Sequence, residues 1–182
     1  MKSIKEMSFG ELAAYICTHL LQNGIKCVLS GGGCVSIYTD NRYMSYDLDF
    51  IEMVSSPRKE LRQILIQIGF YEENRYFKHN DTDFFIEFPT GPLSIGSEPV
   101  WEFNELVFDT GKLYLLTPTD CVKDRLAAYY FWNDLQALEQ AKWIAENHTI
   151  NFDEVQRWSH VENQSEKFLS IKTNLEKTSK HP

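Results

Sequence analysis

A glycine-rich segment and a nearby pair of aspartates are the residues of this chain best suited to chemistry. The segment is Ser30-Gly31-Gly32-Gly33, and Asp47-Leu48-Asp49 follows it. Glycine lacks a Cβ, so the backbone can turn sharply and bring its N–H groups close to phosphate oxygens. In a strand, alternate side chains share a face, which places Asp47 and Asp49 side by side. Paired carboxylates are hard ligands that suit Mg²⁺ together with a substrate phosphate. These residues predict a phosphate-and-metal site.

The order of these features resembles the signature of the polymerase-beta-like nucleotidyltransferases, in which a glycine pair is followed by Asp-x-Asp on a strand. In that family a third carboxylate comes from a neighbouring strand. Glu87, flanked here by Ile86 and Phe88, matches it best, and Asp83 on the same strand face is the second choice. Ser45 resembles the family's Ser or Thr before the aspartates. Arg42 lies one residue further out than the family's Arg, so its role stays open.

The resemblance implies a site and a reaction. The metal-binding and catalytic residues would be Asp47, Asp49 and Glu87. The residues that would bind the nucleotide are Ser30, Gly31, Gly32, Ser45, Lys123 and Arg125. A pair of Mg²⁺ ions would assist transfer of a nucleoside monophosphate from an NTP to a hydroxyl, with loss of pyrophosphate. By analogy, Glu87 would help to activate the acceptor hydroxyl.

Within the superfamily, the chain looks most similar to AbiEii-type and other minimal bacterial nucleotidyltransferase-like proteins, some of which belong to toxin-antitoxin or phage-defence systems. That similarity implies a protein Tyr or Ser, or an RNA 3′ end, as acceptor, and a protein partner from a neighbouring gene. Two alternatives stay open. The chain could be an inactive nucleotidyltransferase-like module that binds a nucleotide or a partner, or an antitoxin-like interaction protein.

Plainer explanations exist for each motif. The glycines could form a turn without a ligand, and the aspartates could lie on a solvated strand face. Lys123 and Arg125 could belong to a solvated helix face. The aromatic residues could stack a base, but their helical spacing favours packing between helices. That aromatic set is Tyr129, Tyr130, Phe131, Trp132, Trp143 and Trp158.

Composition narrows the classes of partner. The formal charge is -8, with 26 acidic against 18 Lys and Arg residues, which disfavours general binding to DNA or RNA. The sequence has neither an apolar run long enough to span a membrane nor a signal-peptide pattern, so we expect a cytoplasmic protein. The cysteines show no Cys-x-x-Cys spacing, and we expect buried reduced thiols rather than zinc or disulfide roles. They are Cys17, Cys27, Cys34 and Cys121.

The elements predicted from periodicity and caps give an α+β fold: a nucleotidyltransferase-like mixed sheet flanked by helices, followed by a C-terminal helical bundle. The predicted division is a catalytic domain over 1–116 and a helical region over 117–182. Ser8 and Glu11 predict a capping box, Thr117-Pro118 a helix start, and Ser56-Pro57 another that runs to Gly69. Strands are predicted at 25–29, near Asp47, Tyr76 and Phe85, and in a hairpin of 106–108 with 113–116. Other predicted segments are a short helical turn over 34–38, an irregular connection over 89–104, and helices over 118–132, 134–147, 152–160 and 164–176.

Overall fold

The computed structural model describes residues 2–178, which form a mixed α/β fold with a seven-stranded sheet and seven α-helices. The elements of the sheet-forming part are α1 (Phe9–Gln22), β1 (Cys27–Leu29), α2 (Gly31–Tyr38), β2 (Asp47–Glu52), α3 (Arg58–Ile66), β3 (Tyr71–Glu73), β4 (Tyr76–His79), β5 (Thr82–Glu87), β8 (Asn104–Phe108) and β9 (Gly111–Leu115). A small separate hairpin is formed by β6 (Ser94–Ile95) and β7 (Glu98–Pro99). Four helices follow, which are α4 (Pro118–Trp132), α5 (Leu135–Asn147), α6 (Phe152–Val161) and α7 (Ser165–Thr178).

The strand order of the large sheet is β3-β4-β5-β2-β1-β9-β8. The central strand β2 runs antiparallel to β1 and parallel to β5, and β1 runs parallel to β9. The register of β2 on β5 sets Leu48 opposite Ile86 and Asp49 opposite Glu87. Directly opposite residues project to the same face of a sheet. Leu48 and Ile86 therefore both face the core, and Asp49 and Glu87 both lie on the opposite face.

Helices α1 and α3 cover the apolar face of the sheet. Leu48, Phe50 and Ile86 are fully buried there. The ring of Phe9 in α1 meets the edge of Phe84 at 5.2 Å between centroids. Burying this face supplies the hydrophobic free energy that holds the strands in register, since a slip of one residue would expose it.

The four C-terminal helices pack around Trp158, which is fully buried. Its ring stacks on Tyr130 at 5.7 Å, and its indole N–H donates to the carbonyl of Ile95 at 3.1 Å. That hydrogen bond ties α6 to the β6–β7 hairpin. The segment after β5 therefore connects the sheet to the helices.

Several predictions from local signals are confirmed. Glu11 accepts the amide hydrogen of Ser8 at 2.7 Å, which completes the predicted capping box. Thr117 caps α4, with Pro118 in the first turn. The four cysteines are buried free thiols. Among residues 2–178 no helix combines the length and apolar character that crossing a bilayer requires.

Other boundaries were wrong. Helix α2 begins at Gly31 and is longer than the predicted turn. Helix α3 is capped by Pro57 rather than Ser56, whose amide donates to Glu52 at 3.0 Å. It also ends at Ile66 and not at Gly69. The connection predicted as irregular contains the β6–β7 hairpin, and β3 was not predicted. These short strands are formed by pairing and not by propensity.

Candidate active site

The paired aspartates project from the polar face of β2. Leu48 and Phe50 are buried on one side of the strand, whereas Asp47 and Asp49 are only partly buried on the other. Glu87 lies at the end of β5, directly opposite Asp49. The structure thus brings three predicted carboxylates to one face of two adjacent strands. Asp83 is exposed further back along β5 and lies beyond the end of β2.

Gly31 lets the end of β1 approach Asp49 closely. Its φ is +62°, and a Cβ at this position would lie 2.7 Å from Asp49 Oδ2. The amide of Ser30 donates to the carbonyl of Asp49 at 2.9 Å, which fixes the two strands at this point. Of the three consecutive glycines only Gly31, the first residue of α2, has a positive φ. The turn brings the N-terminus of α2 beside the aspartates, where helix amide groups attract anions.

Two serines buried near this turn hold the aspartates in place. Ser45 donates its hydroxyl to the Asp47 carboxylate, and its own amide donates to the Ser36 hydroxyl at 2.8 Å. The hydroxyl of Ser30 donates to the carbonyl of Asp49 at 3.3 Å. The predicted nucleotide-binding serines therefore make contacts that orient the strand and the Asp47 side chain. Direct contacts to a nucleotide stay a prediction.

The carboxyl of Asp49 has the most strongly perturbed environment of the three. Burial, followed by the charges of Asp47, Glu87 and Asp124, raises the pKa of Asp49 to about 7, and Arg125 opposes this effect. Loss of solvent and the negative charge of neighbouring carboxylates both disfavour the ionised form of this carboxyl. Carboxyls perturbed by burial and nearby charge in this way cluster at functional sites.

Arg75 pairs with the third carboxylate. The residue lies in the two-residue turn between β3 and β4, and its Nε is 3.2 Å from Glu87 Oε1. Its guanidinium also lies over the Tyr76 ring, 4.9 Å from the centroid. The side chain is 70% exposed. No local sequence signal predicts this contact, because nothing in a hairpin turn indicates which neighbouring strand it faces.

The acids fit a divalent cation that completes its shell with substrate. Within residues 2–178 no three Asp, Glu, His or Cys side chains are arranged so that together they could hold a metal ion, and this includes Asp47, Asp49 and Glu87. Mg²⁺ does not require such a set, since it is commonly held by one or two carboxylates with water and phosphate. Asp47 and Asp49 share a face beside the α2 N-terminus, and burial together with the neighbouring carboxylates raises the pKa of Asp49. A bound cation would favour the ionised form of this carboxyl.

Lys123 pairs with acidic residues other than the three predicted site carboxylates. It is 6% exposed, and its Nζ lies 3.0 Å from Asp120 Oδ1 and 3.1 Å from Glu154 Oε1. It borders a separate cavity of about 710 Å³, whose lining includes Trp101 and Arg157. Two carboxylates already balance its charge. Lys123 therefore forms ion pairs where α4 packs on α6. Its contact with a triphosphate stays a prediction.

Arg125 and its neighbour Asp124 are the residues of α4 whose charges reach Asp49. Asp124 accepts from Arg125 Nε at 3.0 Å, and Gln140 accepts from Arg125 Nη1 at 3.3 Å. Burial alone would lower the pKa of Arg125, but the charge of Asp124 raises it above its ordinary value. Asp124 was not given a role from the sequence. Its position beside Arg125 at the start of a predicted helix was the available signal.

The remaining candidates lie elsewhere. Arg42 pairs with Glu146 at 2.5 Å and lies over the Trp143 ring, so it does not face the acids. Tyr130 and Trp158 pack in the core, as the spacing favoured. Trp132, in contrast, is 77% exposed.

Comparison with known proteins shows the fold. No protein-family model matches the chain, and no curated protein matches it by sequence. Among solved structures, the solution structure of the antibiotic-resistance factor ANT(2'')-Ia superposes with a TM-score of 0.51. The match covers 89% of this chain and 91% of that chain at 13% identity. That protein is an aminoglycoside nucleotidyltransferase of the polymerase-beta-like fold. The present chain has the same nucleotidyltransferase-like fold.

Proposed function

We propose that this protein transfers a nucleoside monophosphate from an NTP to a hydroxyl acceptor in a Mg²⁺-dependent reaction. One observation carries the proposal: Asp47, Asp49 and Glu87 share one face of β2 and β5, beside a glycine turn that opens helix α2. The likeness of the fold to a nucleotidyltransferase supports it.

The acidic residues would bind the metal, and the glycine turn would bind the phosphates. Asp47 and Asp49, with Glu87, would hold the Mg²⁺, which when bound neutralises phosphate charge and lowers the pKa of a coordinated hydroxyl. The amides at the start of α2 would hold the phosphates that leave as pyrophosphate, since helix N-termini stabilise anions. Ser45 keeps the Asp47 carboxylate oriented through its hydrogen bond. Holding the groups in this way lowers the entropy that the reaction must lose.

The sheet order supports opposite positions for the two substrates. The glycine turn follows β1, on one side of β2, and Glu87 lies on β5, on the other side. In an in-line displacement the attacking oxygen is opposite the leaving group. With pyrophosphate at the glycine turn, the acceptor hydroxyl would enter from the β5 side, beside Glu87, which by analogy would help to activate it.

We also propose, from the sequence resemblance, that the chain is a bacterial protein of the AbiEii-like or minimal nucleotidyltransferase type. In that case its acceptor is a protein Tyr or Ser, or an RNA 3′ end, and it acts in a toxin-antitoxin or phage-defence system with a partner from a neighbouring gene. The acidic net charge of -8 favours the protein acceptor over the RNA.

Transfer of label from α-³²P-NTPs tests the activity. Acceptors would be the protein itself, total cell protein, tRNA and an aminoglycoside, each with Mg²⁺ or with EDTA. We expect Mg²⁺-dependent labelling that Asp49→Asn abolishes and that Asp83→Asn retains, because Asp83 is exposed beyond the end of β2. Mg²⁺-dependent stabilisation by NTP in a thermal melt without any transfer would instead establish the inactive nucleotide-binding module. The absence of both labelling and NTP-dependent stabilisation would refute both functions.

A further inference from the structure

Arg75 makes a contact that neither the fold nor the proposed reaction explains. Its Nε lies 3.2 Å from Glu87 Oε1, so a guanidinium neutralises the carboxylate that the reaction would use. An exposed pair of this kind contributes little to stability. A guanidinium this close to the carboxylates has a larger effect on their affinity for a cation.

The backbone of Arg75 is held firmly, whereas its side chain is not. The carbonyl of Arg75 accepts from Arg58 Nη2 at 2.7 Å, and the same Arg58 donates through Nε to Glu72 at 2.8 Å. The turn is further fixed by the pairing of Glu73 with Tyr76. The guanidinium itself rests on the Tyr76 ring, which meets the edge of Phe85 at 4.9 Å. Arg75 thus has a fixed origin and an exposed head group that can leave Glu87 without unfolding the turn.

We propose that Arg75 is a positioning residue that competes with a divalent cation for Glu87. The guanidinium orients Glu87 toward Arg75 until a cation binds beside Asp49, and Glu87 then exchanges the guanidinium for the cation. This inference rests on the proposed cation-dependent function. It adds that the affinity of the site for the cation is set in part by a residue from the β3–β4 turn, on the acceptor side of the sheet.

Mn²⁺ titration by calorimetry tests the competition without relying on activity. The proteins compared are wild type, Arg75→Gln, Arg75→Lys and the matched control Lys78→Gln. Lys78 lies on the same hairpin but pairs with Glu73. We expect Arg75→Gln to bind Mn²⁺ about tenfold more tightly at low salt, because a positive neighbour a few ångströms from a divalent ion is removed. Arg75→Lys, which keeps the charge, should stay within about twofold of wild type, as should Lys78→Gln.

The outcomes separate this inference from the proposed function. Unchanged Mn²⁺ affinity in Arg75→Gln, with wild-type binding that Asp49→Asn removes, overturns the role of Arg75 and leaves the metal site intact. An equal increase of Mn²⁺ affinity in Lys78→Gln would also overturn it, because removal of any nearby positive charge would then have the same effect. Binding of Mn²⁺ that survives Asp49→Asn refutes the metal site itself. Thermal melts of each variant confirm that it is folded.

Discussion

Replacing Asp49 by Asn should make the protein more stable and inactive at the same time. Burial and the charges of Asp47 and Glu87 raise the pKa of Asp49 from 3.8 to about 7. A shift of that size corresponds to at most about 4 kcal/mol against the ionised form in the folded state. Solvent screening of a partly buried group reduces this, so we expect a gain of about 1–3 kcal/mol. Asparagine has nearly the same shape, so the close fit against Gly31 is kept.

The pH dependence follows from the direction of the shift. Below pH 3.8 the carboxyl is protonated in both states, and its charge has no effect on stability. As the pH rises toward about 7, the unfolded chain loses this proton first, so the folded state is progressively disfavoured. The full penalty is present only above about pH 7, and Asp49→Asn removes it there.

Thermal melts at pH 8 and pH 5, without divalent ions, measure the effect. For a chain of this length the expected gain raises Tm by about 3–8 °C at pH 8, and by less than half of that at pH 5. Asp83→Asn is the matched control and should not change Tm, because that carboxylate is exposed. A gain that is equal at both pH values, or absent at pH 8, would refute the electrostatic reasoning. Mg²⁺ should stabilise wild type and not Asp49→Asn.

Two further substitutions test the glycine turn and the ion pairs of Lys123. Gly31→Ala places a Cβ 2.7 Å from Asp49 Oδ2 and should destabilise the protein by about 2–4 kcal/mol in denaturant titration, with loss of NTP binding. Gly24→Ala is its control, because Gly24 also has a positive φ but open space around it, and it should cost only about 1 kcal/mol. Lys123→Met leaves two carboxylates without their shared partner and should cost about 2–4 kcal/mol in the same titration. Its NTP affinity should be unchanged, and a loss of affinity in a folded variant would support the triphosphate role.

The parts of the fold that the sequence predicted are those encoded locally. Ser8 and Glu11 specify a helix start within four residues, and Thr117 with Pro118 does the same for α4. The alternation in Asp47-Leu48-Asp49 likewise assigns one face to the core and one to chemistry. Each of these signals acts over a single turn or strand, so no distant contact can easily override it.

The parts that were missed depend on contacts between distant segments. The strands near Tyr76 and Phe85 were predicted, but β3 was not, so the β3–β4 turn that brings Arg75 to Glu87 was missed. The direction of Lys123 is set by the packing of α6 against α4, which brings Glu154 to it. A helix position two residues away, Arg125, remains on the acid side. Two residues correspond to a rotation of about 200° around the helix, which points the two basic side chains in different directions.

The parallel pairing of β2 with β5 has a consequence for how sequences of this fold can change in length. The chain leaves the sheet after β2, forms α3, rejoins the sheet at its edge strand β3, and continues through β4 to β5, which lies beside β2. Insertions in the surface turns between β2 and β5 would leave Asp49 and Glu87 opposite one another. Loss of a single residue inside β5 would turn Glu87 toward the apolar layer, so related chains should vary freely between the strands and hardly at all within them.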